Sequence, residues 1–170
     1  GFTGVQIHSA HGYLINQFLS PRHNQRKDQW GGSLTNRMRF LLAIYAEIRS
    51  AVGETFPIGI KLNSADFMQG GFSEEDSMQV IKHLSDAGID LIEISGGSYE
   101  APTMADGIVQ KDSTRQREAY FLDYAEKARK LVDTPFVVTG GFRSTQGMNT
   151  ALDSGATDMI GLARPLAVDP

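Results

Sequence analysis

The chain alternates between two hydrophobic patterns. Five short segments are apolar almost throughout and rich in β-branched and aliphatic residues: GVQIH (4–8), FPIGIKLN (56–63), IDLIEIS (89–95), TPFVVTG (134–140) and ATDMIGLA (156–163). Such runs suit parallel strands covered on both faces. Between them the apolar residues fall at helical spacing. In the stretch 34–51, Phe40, Leu41, Ile44, Tyr45 and Ile48 recur on one face, behind a start signal in Ser33 with Asn36 three positions on. The stretch 74–87 follows Ser73 and carries Glu74, Glu75 and Asp76 in its first turn, where negative charge favours the positive end of the helix dipole. Gly88 in DAGID and Gly155 in DSGATD stand where a helix ends in a left-handed residue. The stretches 115–132 and 144–154 complete the helical set.

Strand and helix thus alternate five strands deep, which predicts an α/β fold with a parallel sheet and right-handed crossovers. Two architectures fit: part of a (β/α)8 barrel, or a five-stranded open sheet. With no linker, low-complexity segment or internal repeat beyond the alternation itself, residues 1–170 read as a single domain. In both architectures ligands bind at the C-terminal ends of the strands. That rule selects His8–Tyr13, Lys61–Asp66, Ser95–Tyr99, Thr139–Arg143 and Ala163–Arg164 as the places to look for chemistry.

Composition narrows the partners. A chain of 170 residues can bury a sizeable core. Its formal net charge of -4 disfavours a general nucleic-acid binder, while leaving room for a local basic pocket that holds one phosphate. There is no cysteine, so this chain supplies no disulfide, thiol nucleophile, cysteine-ligated zinc or iron–sulfur cluster. No apolar run approaches the roughly 20 residues of a membrane helix, and no signal peptide is evident. The expectation is a cytoplasmic protein with neither a membrane nor a nucleic-acid partner. The chain opens on Gly1 with a strand almost at once, and closes on RPLAVDP, which reads as the start of a helix. Both ends are expected to be cut from something longer.

The chemistry-bearing residues follow. His8, His11 and Tyr13 lie within six positions, in HSAHGY. A metal would need a third and usually a fourth ligand; His23 and His83 do not obviously converge, so no metal is expected. The cluster can instead be structural, or it can handle a substrate: two imidazole N–H groups can hold a carbonyl or nitro oxygen, and a phenol can act as an acid. TGGFRS (139–144) follows a strand and leads into a helix; it is either an ordinary glycine turn or a place where backbone N–H groups approach an anion. GLARP (161–165) again follows a strand, with Arg164 able to grip a phosphate bidentately. In barrels the loops after strands seven and eight often form a phosphate site. If these are those strands, the first strand present is the fourth. Lys61, near the end of its strand, either faces an electron-rich ring, pairs with Asp66 or Glu93, or reaches out to water. EEDS (74–77) and REAYFLDYAEKARK (117–130) read as solvated helix faces, and Trp30 as a loop anchor.

The stretch GVQIHSAHGYLINQFLSPRHNQRKDQWGGSLTNRMRF (4–40) resembles the old yellow enzyme family of FMN-dependent ene-reductases and NADH:flavin oxidoreductases. The resemblance continues through GIKLNSADF, IDLIEISGG, VVTGGFRS and GLARPLAVDP, and so covers essentially the whole chain. The two-histidine form is more like the bacterial and fungal branches than the branch with His and Asn. The resemblance implies strands four to eight of an FMN-binding (β/α)8 barrel. A nicotinamide, NADH or NADPH, would reduce the flavin, and hydride would pass to the β-carbon of an activated alkene. Carried over by position, His8 and His11 would hold the substrate's activating oxygen, and Tyr13 would protonate the α-carbon. Backbone groups of Gly140, Gly141 and Phe142 would meet the FMN phosphate with Ala163 and Arg164, and Lys61 would face the flavin ring. Many members have Arg at the position of Lys61, Gly at that of Ala163 and Tyr at that of Trp30. Lys keeps the charge but loses the planar fork, which bears on redox tuning.

Two other readings stand beside this one. The isolated chain would be an inactive partial barrel with at most weak flavin or phosphate binding, its exposed sheet edges driving self-association into oligomers or aggregates. Alternatively, a sugar-phosphate enzyme of similar barrel design would use the same phosphate loops, but it gives no reason for HSAHGY.

Overall fold

A computed structural model of the chain describes residues 1–98, 100 and 119–168, excepting the side chains of Arg164 and Val168. Tyr99 and the first residues expected in the helix 115–132 lie outside the described residues. The five apolar runs form strands β1 (Val5–Ser9), β2 (Ile58–Asn63), β3 (Leu91–Ser95), β4 (Phe136–Thr139) and β5 (Met159–Gly161). The helices are α1 (Leu14–Leu19), α2 (Leu34–Val52), α3 (Glu74–Asp86), α4 (Leu122–Arg129), α5 (Thr145–Asp153) and α6 (Arg164–Val168).

The helix ends form as their sequences predict. Ser33 accepts a hydrogen bond from the Asn36 N–H and Ser73 one from the Asp76 N–H, each satisfying a donor that the first helical turn leaves free. Gly88 and Gly155 take φ of 89° and 73°. Helix α1 has no counterpart among the expected elements. At six residues, LINQFL is too short to show a helical period, and its start at Tyr13 has no side-chain cap.

Strand order separates the two expected architectures. Among the described residues the sheet is parallel and runs β1-β2-β3-β4-β5, with no reversal. An open doubly wound sheet would change direction at a switch point. Consecutive order with right-handed crossovers puts every helix on the same side, so the sheet is an arc of a (β/α)8 barrel.

Register then fixes what each face carries. His8 pairs with Lys61, Lys61 with Glu93, Glu93 with Val137 and Val137 with Met159. Since side chains alternate along a strand, Gln6, His8, Lys61, Asn63, Glu93, Ser95 and Thr139 share the concave, lumen-side face. Ile58, Ile60, Leu62, Ile92, Ile94, Phe136 and Val138 point to the helices and are buried there. They pack in one core with Leu41 and Tyr45 of α2, Val80, Ile81 and Leu84 of α3, and Tyr124, Ala125 and Ala128 of α4. Each fully buried aliphatic side chain is worth about 1.5–3 kcal/mol relative to exposure, so the outward face carries most of the stability. The lumen face, which also carries Leu91, Val137 and Met159, gathers the polar groups.

Two stretches expected to be solvated faces are partly core. In α3, Ser77 is buried, donating to the Asn63 carbonyl oxygen at 2.7 Å and accepting from the Tyr124 hydroxyl at 2.7 Å. Asp76 pairs with the buried Arg37 at 2.8 Å. In the YFLDYA segment, Phe121 and Tyr124 are buried. The charges of these stretches hid the apolar stripe beside them. Trp30 anchors its loop as expected, edge-on against Phe40, with its carbonyl oxygen accepting from Asn24 Nδ2 at 2.7 Å. No helix among the described residues is long and apolar enough to cross a membrane.

Candidate active site

The site begins where β1 runs out. His8 is the penultimate residue of β1 and projects onto the lumen face. The chain then turns sharply: His11 has φ 60° and Gly12 φ 81°. This turn brings His11 back over the end of the sheet, where it bridges to Ser98. The three residues of the opening cluster meet there. The His8 and His11 rings are 5.5 Å apart in an edge arrangement, and the His8 and Tyr13 rings 5.1 Å apart. Tyr13, which starts α1, is about half exposed, at 48%.

The two histidines are kept neutral. Burial lowers the His11 pKa to about 4, with the Lys61 ammonium and His8 adding to the effect and Glu93 opposing it. His8 lies on the open face, yet desolvation of its ring and the charge of Lys61 lower its pKa too, against the pull of Glu93. A neutral imidazole has one N–H and one bare nitrogen. His11 Nε2 lies 2.8 Å from Ser95 Oγ. If the hydroxyl donates there, the N–H of His11 sits on Nδ1 and is available to a ligand. His23 and His83 are engaged elsewhere, with Glu100 at 3.6 Å and with the Gln79 carbonyl oxygen at 2.8 Å. Among the described residues no three His, Cys, Asp or Glu side chains are grouped to hold a metal ion.

Beneath the histidines lies a charged row. Lys61 Nζ is 2.6 Å from Glu93 Oε1, so of the two carboxylates that could pair with Lys61, Glu93 is the one that does. Thr139 Oγ1 donates to the same oxygen at 2.7 Å, and Gln6 Nε2 donates to Glu93 Oε2 at 2.8 Å. Burial alone would raise the Glu93 pKa; the hydrogen bonds from Lys61, Thr139 and Gln6, with the Lys61 charge, outweigh it and hold the carboxyl below its ordinary value. One cation and one anion, locked together by four strands, thus form the floor of the site.

The glycine turn closes the far side. Gly140 and Gly141 have φ of 129° and 85°, a backbone form that side-chain-bearing residues rarely adopt. A Cβ on Gly141 would come within 2.9 Å of the Tyr120 ring, and one on Gly140 within 3.0 Å of Phe121. Phe142 is buried, which leaves only its backbone to a ligand. Ser144 caps α5, accepting from the Gly147 N–H at 3.1 Å, so a helix N-terminus follows the turn directly. Ala163 is exposed, and Arg164 opens α6 with its side chain outside the described residues.

Sequence reasoning missed the part played by Tyr120 and Phe121. The Tyr120 N–H donates to the Gly140 carbonyl oxygen at 3.2 Å, and its hydroxyl accepts from Arg143 at 3.1 Å. Phe121 stacks on Phe67 with ring centroids 6.2 Å apart. The aromatic pair within the charged run was the available signal. A groove of about 680 Å³ between α2 and α3, lined by Tyr45, Arg49 and His83 among others, lies off this face. It gathers no comparable chemistry, and the strand ends remain the candidate.

Comparison with known proteins identifies the family. The model of the NADH:flavin oxidoreductase / NADH oxidase family matches residues 1–170. The NADH-dependent flavin oxidoreductase iliE of Hypocrea jecorina is 43% identical over 176 residues; the match takes in 100% of this chain and 43% of that protein. Among solved structures, a 2-naphthoyl-CoA reductase complex superposes with a TM-score of 0.90 at 33% identity, covering 100% of this chain and 25% of the other. The old yellow enzyme homologue of Zymomonas mobilis gives 0.74 at 31%, covering 98% and 43%. The chain thus spans between a quarter and somewhat under half the length of these relatives.

Proposed function

Because the chain belongs to the NADH:flavin oxidoreductase / NADH oxidase family, we propose that its strand ends bind FMN and reduce activated alkenes, enones or nitro-alkenes, with electrons from NADH or NADPH. The observation that carries this reading is the convergence of His8, His11 and Tyr13 above the charged row, with ring centroids within 5.5 Å of the His8 ring. Such a cluster has donors for one substrate oxygen and a phenol beside them.

The residues fit the cofactor. Gly140 and Gly141 present backbone that a Cβ would obstruct, next to the capped start of α5, and this suits a phosphate. Backbone groups of Gly140, Gly141 and Phe142 would hold it, with Ala163 and Arg164 from the end of β5. Lys61 would lie against the isoalloxazine ring, its charge offsetting the electrons that the ring gains. FMN, when bound, supplies hydride transfer between the nicotinamide and the substrate.

The remaining steps belong to the chain's own side chains. The neutral imidazoles of His8 and His11 would donate hydrogen bonds to the carbonyl or nitro oxygen. As hydride reaches the β-carbon, negative charge grows on that oxygen and both bonds strengthen, which is where they accelerate the reaction. Tyr13 would give its proton to the α-carbon and regain one from solvent, to which it is open. Positioned proton transfer of this kind is worth roughly 10²–10⁴-fold.

Tyr13→Phe in the full-length protein tests the assignment, with the two half-reactions followed separately by rapid mixing. Flavin reduction by the nicotinamide should be preserved and reoxidation by an enone should slow by roughly 10²-fold or more. Equal loss of both half-reactions would remove Tyr13 from the role of proton donor.

A further inference from the structure

The turn that carries His11 is built around a carboxyl group with no part in the chemistry above. Asp66, Asn16 and Asn63 are all completely buried. Asp66 Oδ1 accepts from Asn16 Nδ2 at 3.1 Å and from Asn63 Nδ2 at 3.0 Å, and Oδ2 accepts from the Phe72 N–H at 2.9 Å. The two amides turn their oxygens the other way. Asn16 Oδ1 accepts from the Gly12 N–H at 2.7 Å, and Asn63 Oδ1 from the His11 N–H at 3.2 Å.

Chemistry fixes the direction of these bonds. A backbone N–H only donates, so each amide oxygen must face it. Each NH₂ group must then face an acceptor, and Asp66 is the acceptor common to both. Asn63 Nδ2 also donates to the Gly97 carbonyl oxygen at 2.9 Å, which ties the network to the segment after β3. The two backbone groups held in this way belong to the two left-handed residues of this turn, His11 and Gly12. A residue with a Cβ keeps that conformation only where its surroundings over-determine it.

We propose that Asp66 is a positioning residue: through Asn16 and Asn63 it holds the backbone of His11 and Gly12 in the left-handed turn, and so fixes the His11 imidazole against Ser95 and beside His8. It touches no substrate atom. Its effect on turnover rests on the reading of His8 and His11 as the pair that holds the substrate oxygen; its effect on ring placement does not.

Asp66→Asn tests the proposal. In either orientation its amide sets an NH₂ group opposite a donor of Asn16, Asn63 or Phe72, so the relay cannot stay complete. The readout is a nuclear magnetic resonance titration of the full-length flavoprotein carrying isotope-labelled histidine, together with steady-state kinetics on an enone. In the unaltered protein His11 should titrate at about 4, its ring being half-buried and facing Lys61 and His8, with Glu93 opposing. In Asp66→Asn it should move up toward 6.5 as the ring loosens into solvent, and KM should rise roughly tenfold. An unmoved His11 overturns the proposal. A shifted His11 with unchanged KM upholds the positioning and instead removes His11 from substrate binding. If Asp66→Asn does not fold, Asn16→Ala breaks only the Gly12 branch and is read in the same way: a raised His11 titration supports the proposal, and an unchanged one overturns it.

Discussion

His11 Nε2 and Ser95 Oγ lie 2.8 Å apart and join the turn after β1 to the last residue of β3. The contact ties the half-buried ring down in its neutral form. Because folding lowers the His11 pKa from 6.5 to about 4, the unfolded chain binds the proton more tightly. The neutral ring therefore costs nothing above about pH 6.5, and stability is lost as pH falls through the interval down to about 4. Chemical denaturation of the full-length protein and of His11→Gln should show a stability difference that is flat above pH 6.5 and changes steadily below it. Its span should be at most about 2 kcal/mol, since solvent screens a ring that is only partly covered. A difference independent of pH would mean that His11 is not desolvated.

Glu93→Gln removes the partner of Lys61 while keeping the shape of the side chain. An ammonium left without its counter-charge in this half-buried row should cost about 1–3 kcal/mol of stability. If Lys61 faces the flavin, the freed positive charge should also stabilise the reduced, more negative ring. The flavin potential, measured by equilibration with redox dyes, is expected to rise; an unchanged potential would separate the Lys61–Glu93 pair from the cofactor.

Gly141→Ala asks a side chain to adopt φ 85° within 2.9 Å of the Tyr120 ring. Strain of about 1–3 kcal/mol should follow, with the turn displaced. The informative measurement compares two ligands by fluorescence titration. FMN should bind roughly tenfold more weakly, whereas riboflavin, which lacks the phosphate, should lose much less. Equal losses would mean that the turn does not hold the phosphate.

The strands were legible because each is apolar on the face that the helices cover, so a run such as IGIKLN stands out even with Lys61 in it. Helix caps at Ser33 and Ser73 were legible because capping is local, three residues long. Strand order was not: neither a barrel arc nor an open sheet leaves a mark within any one βα unit, and only the pairing of His8 with Lys61, Lys61 with Glu93 and Glu93 with Val137 decides between them. The candidate site divides in the same way. His8, His11, Tyr13 and the glycine turn stand out as candidates by residue type and position at strand ends. Asn16 does not, because nothing near it in LINQFL says that its amide will meet a carboxyl group 50 residues away. Tyr120 and Phe121 were masked by the charges that follow them.

The row of Gln6, His8, Lys61, Glu93 and Thr139 also bears on how the sheet assembles. Strands that are aliphatic on one face and aliphatic or small on the other can slide past one another at modest cost. Here a shift of β3 by one residue against β2 would turn Glu93 into the layer of Ile60 and Phe136, and would bring Ile92 or Ile94 into the lumen opposite Lys61. A bare charge in each layer would penalise the misaligned sheet far more than any lost methyl contact. Lys61, proposed to face the cofactor, and its partner Glu93 thus double as an alignment key, and substitutions of either should produce misfolded chains as well as any change in activity.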